Sequence, residues 1–554
     1  MANIKHIFLF FVIMLVACQS DNMSVPSRLV TNSYGGTQLM VNNQPFLMIG
    51  GEIHNSSNST TLYMNSLWES LQSLNINTVL AAVSWEQFEP VEGEYDYTLL
   101  DNLIVGARAH NMKVVILWFG SWKNGESSYA PTWVKRDIER FPRVLTKDGR
   151  KIETLSPFSA NNMYADARAF AAMMRHIRHV DSRQGTVIAV QPENEVGIFA
   201  DMDYNAIALE GYQARVPQAL IDYMLAHQDF LRPELDSVWK AAGQRTEGTW
   251  SEVFGDNIWS RSFYITWQYA SYINTVASAG KAEYPLPMFC NSWIVQAEED
   301  LPGVYPNGGP VSRVFDIWKA AAPAIDILCP DIYLETFKEI TADYHRADNP
   351  LCIPESRLIP AQAFWAFGEH HALCYAPFGI EDGAGNEQYA DANKVLQELT
   401  PLITRYQGSR DMIGIMHTPD EQERIVTMGD YRLRITYMDD NAYGIIIHNA
   451  PDSFVVAGIN MRVEFSSNVQ EQNCHILQVW EGGYTDGRWQ PTRLLNGDET
   501  FHNAMLRVRG RCRPTAEKNK KSGAENDSGI FVYAPNTYQL VWSPAIYHVA
   551  VYTR

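Results

Sequence analysis

The sequence predicts an α/β chain: a (β/α)8 TIM barrel followed by a C-terminal antiparallel β-sandwich domain. Three observations predict it. Short, near-continuous apolar runs recur eight times, most of them followed by a helix-length segment, as expected of parallel strands buried on both faces. No Gly-rich phosphate loop follows any of these runs, which argues against a doubly wound open sheet. Near Arg405–Asp411 the pattern changes to period-two alternation broken by turn residues, the signature of antiparallel strands.

In order, the runs are Phe46–Ile53, Thr78–Trp85, Lys113–Phe119, Val187–Gln191, Pro287–Trp293, Ile325–Tyr333, Leu351–Pro354 and Ala372–Phe378. Helical periodicity fills segments between them, such as Thr61–Leu74, Leu99–His110 and Asp166–Asp181, and Asn386–Thr400 follows the last. The gap between the fourth and fifth runs is long. It predicts an insertion at about 200–282 over the barrel mouth, with helices around Val216–Lys240 and Ile258–Ala279. The barrel is expected over 31–405 and the sandwich over 406–554, with strands such as Tyr431–Tyr437, Gly444–His448 and His475–Trp480. The polar, Lys/Asn/Ser-rich stretch Arg513–Gly529 predicts an exposed loop.

Composition narrows the class. The 554 residues are 46% hydrophobic and 19% charged, which excludes a disordered chain and a polytopic membrane protein. A formal charge of −19 argues against general nucleic-acid affinity. Fifteen Trp and 27 Tyr supply many flat faces of the kind sugar rings stack on, although such residues also fill cores.

At the N-terminus, Lys5 precedes an apolar run from Ile7 to Ala17 that is too short to span a bilayer and fits a signal-peptide core. Its ending, Leu15-Val16-Ala17-Cys18, resembles a bacterial lipobox. The resemblance implies removal of 1–17, acylation of Cys18, a tether over 18–30 and an exported lipoprotein at the outer membrane, the cell surface or in the periplasm. Six further cysteines lack any Cys-x-x-Cys spacing, and four lie in apolar runs, so buried free thiols are expected. His54 and His370-His371 have no zinc-ligand spacing; neither a metal nor a cofactor is expected.

In such a barrel the chemistry lies at the C-terminal ends of the strands. Read in order, those ends carry Glu52, Trp85, then Trp118 with Trp122 and Asn124, Asn194-Glu195, Asn291 with Trp293, Asp331 with Tyr333, Glu355 with Arg357, and Phe378. Carboxylates, amides and aromatics converge, which is the chemistry of a sugar site. Glu195 and Glu355, at strands four and seven, can face a sugar from two sides, one as proton donor and one as the carboxylate that meets the oxocarbenium carbon. Glu193 is a rival acid, because strict alternation puts it on the same face as Glu195.

Several motifs resemble one family. Asn194-Glu195 and Glu355 match the clan of retaining β-glycosidases on (β/α)8 barrels. Gly50-Gly51-Glu52-Ile53-His54, Trp85-Glu86-Gln87-Phe88-Glu89-Pro90 with Gly93-Glu94-Tyr95-Asp96-Tyr97, and Gln191-Pro192-Glu193-Asn194-Glu195-Val196-Gly197 are similar to motifs of glycoside hydrolase family 35, the β-galactosidases. Pro377-Phe378-Gly379 and the β-rich tail resemble its bacterial branch. The resemblance implies an exo-acting retaining β-galactosidase that removes terminal β-linked galactose from oligo- or polysaccharides. Glu195 would be the acid/base, Glu355 the nucleophile, Asn194 a partner of the 2-hydroxyl and Tyr333 a support for ionised Glu355. Trp118, Trp122, Trp293 and Phe378 would wall the sugar. Phe88, where the family often has His, and the Pro-Glu-Ser-Arg context of Glu355 depart from the pattern and bear on the identity of the sugar. The alternatives are another retaining hydrolase of the clan, an endo-β-glucanase or β-mannanase, and a non-catalytic carbohydrate-binding lipoprotein.

Overall fold

The computed structural model describes residues 25–469, 472–495, 500–501, 504–514 and 540–554. The expected signal peptide, Cys18 and positions 515–529 of the expected loop lie outside the described residues. Eight strands run parallel: β1 (Met48–Glu52), β2 (Thr78–Ser84), β3 (Lys113–Lys123), β4 (Val187–Asn194), β5 (Phe289–Trp293), β6 (Ile327–Ile332), β7 (Glu355–Ser356) and β8 (Cys374–Tyr375). They form a half-barrel sheet in the order β8-β1-β2-β3-β4 and a second sheet β5-β6-β7. Isolated parallel bridges Val190–Met288 and Ile353–Tyr375 link the edges of the two sheets.

A helix follows every strand: α1 (Thr61–Ser73), α2 (Thr98–Ala109), α3 (Ala160–Asp181), α4 (Ile258–Glu283), α5 (Phe315–Ala321), α6 (Phe337–Tyr344), α7 (Pro360–Glu369) and α8 (Glu387–Tyr406). On α1 the buried residues Met64, Leu67, Trp68 and Leu71 recur at helical spacing, and Thr60 caps its N-terminus by accepting from the Tyr63 amide. The stretch expected as one insertion divides in two. Short helices at Ala206–Tyr212, Gln218–Ala226, Pro233–Ala241 and Trp250–Phe254 form the excursion. Residues 258–282, by contrast, belong to α4, which packs so closely on α3 that a Cβ at Gly280 would lie 2.3 Å from the Phe170 ring. Periodicity identified the helix but not its neighbour.

The strands carry two different faces. On β3, Val115, Leu117 and Phe119 join Met48, Leu80, Ala82, Phe289, Ile327 and Cys329 in an inner core, whereas Val114, Ile116 and Trp118 join the larger core shared with the helices. Leu39 and Val41, from a three-stranded antiparallel sheet at the N-terminus, belong to the same inner cluster. The inner row is therefore apolar along the strands, and on β1, β5 and β6 its next residues toward the C-terminal ends are polar: Glu52, Asn291 and Asp331. Cys290, Cys329, Cys352 and Cys374 are buried free thiols that pack as small apolar groups.

Beyond α8 the chain becomes antiparallel. A six-stranded sheet runs Met412–Met416, Tyr443–Ala450, β9 (Ser453–Ile459), β12 (Ala545–Thr553), β10 (Cys474–Thr485) and β11 (Arg488–Leu495). A five-stranded sheet includes Glu423–Met428, Tyr431–Tyr437 and Met461–Ser467. Leu433, Val463, Phe465, Val456, Val479 and Val549 from the two sheets share one apolar core, which is why their strands alternate in polarity. Among the described residues no helix is long and apolar enough to cross a membrane.

Candidate active site

Three carboxylates meet at the C-terminal ends of β4, β6 and β7. Oxygens of Glu195, Asp331 and Glu355 all lie within 4.8 Å of one another, and all three residues are buried. Glu52, from β1, is buried beside them and feels the charges of Glu355 and Glu195. One cation answers these four acids. The Lys123 ammonium, at the end of β3 and 8% exposed, lies 3.8 Å from Glu355 Oε1. On the other oxygen, the Tyr333 hydroxyl donates to Glu355 Oε2 at 2.7 Å. Glu355 thus holds an ammonium on one side and a phenol on the other.

Amides build the opposite wall. The Asn291 amide nitrogen donates to Asp331 at 2.7 Å and to Asn194 Oδ1 at 3.1 Å, and its oxygen accepts from the Glu195 backbone N–H at 3.0 Å. Gln191 donates a second bond to Asn194 Oδ1 at 2.9 Å, so the Asn194 carbonyl is saturated within the protein. Only its NH2 group remains to meet a substrate oxygen; it contacts Asn124 Oδ1 at 3.3 Å.

The local backbone explains which glutamate enters the pocket. Glu193 and Glu195 both adopt left-handed backbone angles, φ 64° and 43°. Conformations of this kind are costly for residues with a Cβ and concentrate at functional sites. They break the alternation that would place both side chains on one face. Glu193 turns instead into the outer wall, where its Oε2 accepts from the Trp122 N–H at 2.7 Å and its partner is Asp166 of α3. Gly120 makes room there: a Cβ at that position would lie 2.3 Å from the Trp118 Nε1 and 2.6 Å from Glu193 Oε1.

The electrostatics separate the acids. Burial and the neighbouring Glu355 charge raise Glu195 to about 7, against a weaker opposing pull from Lys123. Asp331 is pushed well above the usual carboxylate range by burial, then by Glu355 and Glu195. Glu52 is raised in the same way, burial first and Glu355 second. For Lys123, burial works against the charged form, but Glu355, Glu52, Glu195 and Asp331 outweigh it and keep the ammonium charged. Glu195, Asp331 and Glu355 are the group, among the described residues, whose ligand atoms converge closely enough to hold a metal ion, and the Lys123 ammonium already supplies positive charge beside them.

The residues expected from the sequence divide into two sets. Glu52, Asn124, Asn194, Glu195, Asn291, Tyr333 and Glu355 come together, with Trp293 at the rim edge-on to Phe199 and Phe378 edge-on to His54. Trp85, Trp118 and Trp122 do not join them. All three are fully buried in the core behind the wall. Their indole N–H groups are consumed by Glu89, Asp166 and the Leu155 carbonyl, respectively. On β2 and β3, the phase that points Ala82 and Leu117 inward points Trp85 and Trp118 outward. Arg357, from the same strand end as Glu355, pairs with Glu335. Lys123 was missed by sequence reasoning: Ser121, two residues before it, turns outward to Asp166, and a shift of register between Trp118 and Lys123 decides its place. Phe199, 51% exposed in the loop after β4, was also missed, and no periodic signal marks it.

A buried acid pair with an amide wall, at the C-terminal ends of parallel strands, is the arrangement that cleavage of a glycosidic bond requires. Residues 38–254 match the model of glycosyl hydrolases family 35. The match includes Glu195 and ends before Glu355. Residues 389–507 match a domain of unknown function, DUF5597. A beta-galactosidase of Xanthomonas manihotis is 27% identical over 189 residues, a stretch that covers 32% of this chain and only 28% of that protein. Solved structures similar to the chain include the beta-galactosidase from the psychrophilic Marinomonas ef1 (TM-score 0.42, 13% identity, 64% of this chain and 60% of that one). That from Bacillus circulans sp. alkalophilus is another (TM-score 0.44, 15% identity, 64% and 57%).

Proposed function

We propose that the chain is an exo-acting β-galactosidase that removes terminal β-linked galactose by double displacement, with retention of configuration. The observation that carries the reading is the approach of the Glu195 and Glu355 oxygens to within 4.8 Å. Retaining enzymes keep their carboxyl groups about 5–5.5 Å apart, whereas inversion needs more than about 6.5 Å to admit a water. Under this reading the eight parallel strands close into one (β/α)8 barrel, a view supported by the bridges between the two sheets. The catalytic unit would span 31–405, with the sandwich over 406–554. Cys18 would carry the lipid anchor of an exported protein at the outer membrane or cell surface.

In the first step the Glu355 carboxylate, between Lys123 and Tyr333, attacks the anomeric carbon and forms a glycosyl ester. Glu195 gives its proton to the departing glycosidic oxygen. A carboxyl raised to about 7 keeps that proton in about half of the molecules at neutral pH and parts with it readily. Once Glu355 is esterified its charge is gone, the upward push on Glu195 falls, and Glu195 is left ionised as the base that draws a proton from the incoming water. The Asn194 NH2 group is placed to meet the 2-hydroxyl. Asp331, buried and raised, also holds its proton, which limits the repulsion within the cluster.

A panel of aryl glycosides, with the anomer of the first-formed product followed by NMR, tests the proposal. The expected result is cleavage of the β-galactoside with β-galactose released first. Release of the α-anomer would overturn double displacement. Faster cleavage of another glycoside would overturn the sugar assignment.

A further inference from the structure

The outward face of the six-stranded sheet is covered at one end and open at the other. Ile445, Ile447, Val455, Ala457 and Ile546 belong to the same apolar cluster as the helices around the parallel strands. Beyond them the face continues across β9, β12, β10 and β11. Two irregularities in register bring its side chains together. Between Ile476 and Gln478 on β10, and between Arg493 and Pro491 on β11, one residue lacks a partner. Such a bulge moves the residues beyond it to the other face. As a result Gln478, Trp480, Trp489, Pro491 and His548, with Ser453 at the edge, line a cavity of about 300 Å³. That volume lies at the lower end of the range for small-ligand sites, about 300–1,000 Å³.

Its chemistry is specific. Among the described residues, no acidic or basic side chain other than His548 lines it, although the chain as a whole carries −19. Burial lowers His548 to about 4, so this ring is neutral too. Trp489 stacks on His548 with ring centres 3.9 Å apart, and the Tyr484 hydroxyl fixes the far side of that imidazole at 2.6 Å. Trp489 is therefore held in place before any ligand arrives, which removes part of the ordering cost of binding. Trp480 lies on the neighbouring strand, directly across from His548 in the register, and is half-buried. Two indoles offer flat apolar faces, while Gln478, Ser453 and His548 offer neutral donors and acceptors around them. A pyranose has a matching form, with an apolar C–H face and a rim of hydroxyls. An anion would find no cation here, and a purely apolar ligand would strand the amide and hydroxyl.

We propose that this face is a second saccharide site, which holds a neutral stretch of polysaccharide apart from the carboxylate pocket. Only the choice of probes rests on the catalytic reading above. The test uses the full chain in native gels cast with neutral β-galactan, neutral xyloglucan or anionic polygalacturonate, with hydrolysis of an aryl β-galactoside as a separate readout. The wild-type chain is expected to be retarded by a neutral polymer and not by the anionic one. Trp480→Ala should weaken that retardation about tenfold, in line with the loss of one stacking contact, and Gln478→Ala less. Both variants should keep wild-type aryl-glycoside turnover, which also shows that they fold. No retardation by either neutral polymer overturns the site. So does equal retardation of Trp480→Ala, or retardation abolished by a small galactoside that fills the catalytic pocket. If the chain cleaves no aryl galactoside yet Trp480→Ala still loses retardation, the catalytic reading fails and this site stands.

Discussion

Two pairs of buried carboxyl groups stand on opposite sides of the same strand wall. Inside it, Glu195 faces Glu355; outside it, Glu193 faces Asp166. Both pairs are sequestered from water and both contain an acid raised by burial. They differ in their surroundings. Asp166 is saturated by neutral donors, the Trp118 indole at 2.8 Å and the Ser121 hydroxyl at 2.6 Å, and Gly120 seals the pair in. Glu355 has a cation and a phenol, one oxygen without a hydrogen-bond partner, and a rim of exposed Tyr333 and Trp293. Burial alone therefore raises an acid without making it reactive. Reactivity needs a second carboxylate at a fixed distance, and an opening for the substrate.

Replacing residues one at a time should separate the two pairs. The largest effect is expected for Glu355→Gln, which should reduce aryl β-galactoside hydrolysis to background while the thermal unfolding curve stays cooperative; near wild-type turnover would remove it as nucleophile. Glu195→Ala should slow substrates with poor leaving groups by about 10²–10⁴-fold and those with activated leaving groups much less. Equal slowing of both would break the assignment of the proton donor.

Lys123→Met should lower kcat by about 10²-fold through the loss of one preorganised charge. Because Lys123 also pulls Glu195 down, the alkaline limb of kcat/KM should move upward from its wild-type position near 7, where loss of the Glu195 proton ends activity. A limb that stays put would show that Lys123 does not act on Glu195. The smallest catalytic effect is expected for Glu193→Gln, a near-isosteric change of a side chain that already holds its proton, with kcat/KM within a few-fold of wild type. On the same outer side, Gly120→Ala should cost about 1–3 kcal/mol of stability through overpacking, measured by chemical denaturation. A catalytic collapse in Glu193→Gln with intact stability would overturn the contrast.

The raised acids also set a pH dependence of stability. Glu52, Glu193, Glu195 and Asp331 hold protons in the folded chain that the unfolded chain releases near pH 4 to 4.5. The folded state therefore binds more protons, and stability should fall as pH rises from that range toward 7 and beyond, by up to about 1.4 kcal/mol per pH unit for each retained proton. Asp331→Asn should flatten the slope measured by denaturation at several pH values.

The order of strands and helices, the change to antiparallel structure after α8 and the pairing of Glu195 with Glu355 were legible in the sequence, because each follows from a local period or a motif at a strand end. The same local rule, applied without its phase, misplaced Trp85 and Trp118. Side chains one residue apart on a strand face opposite ways, and the inner row of β3 runs through Val115, Leu117 and Phe119. Tertiary structure alone decided the rest. Left-handed backbone at Glu193 and Glu195 turned one acid out and one in, bulges on β10 and β11 gathered Trp480 and Trp489 onto one face, and the packing of α4 on α3 claimed residues expected in the insertion. These outcomes depend on which segments become neighbours in space, and periodicity along one segment carries no record of the strand or helix that will lie beside it.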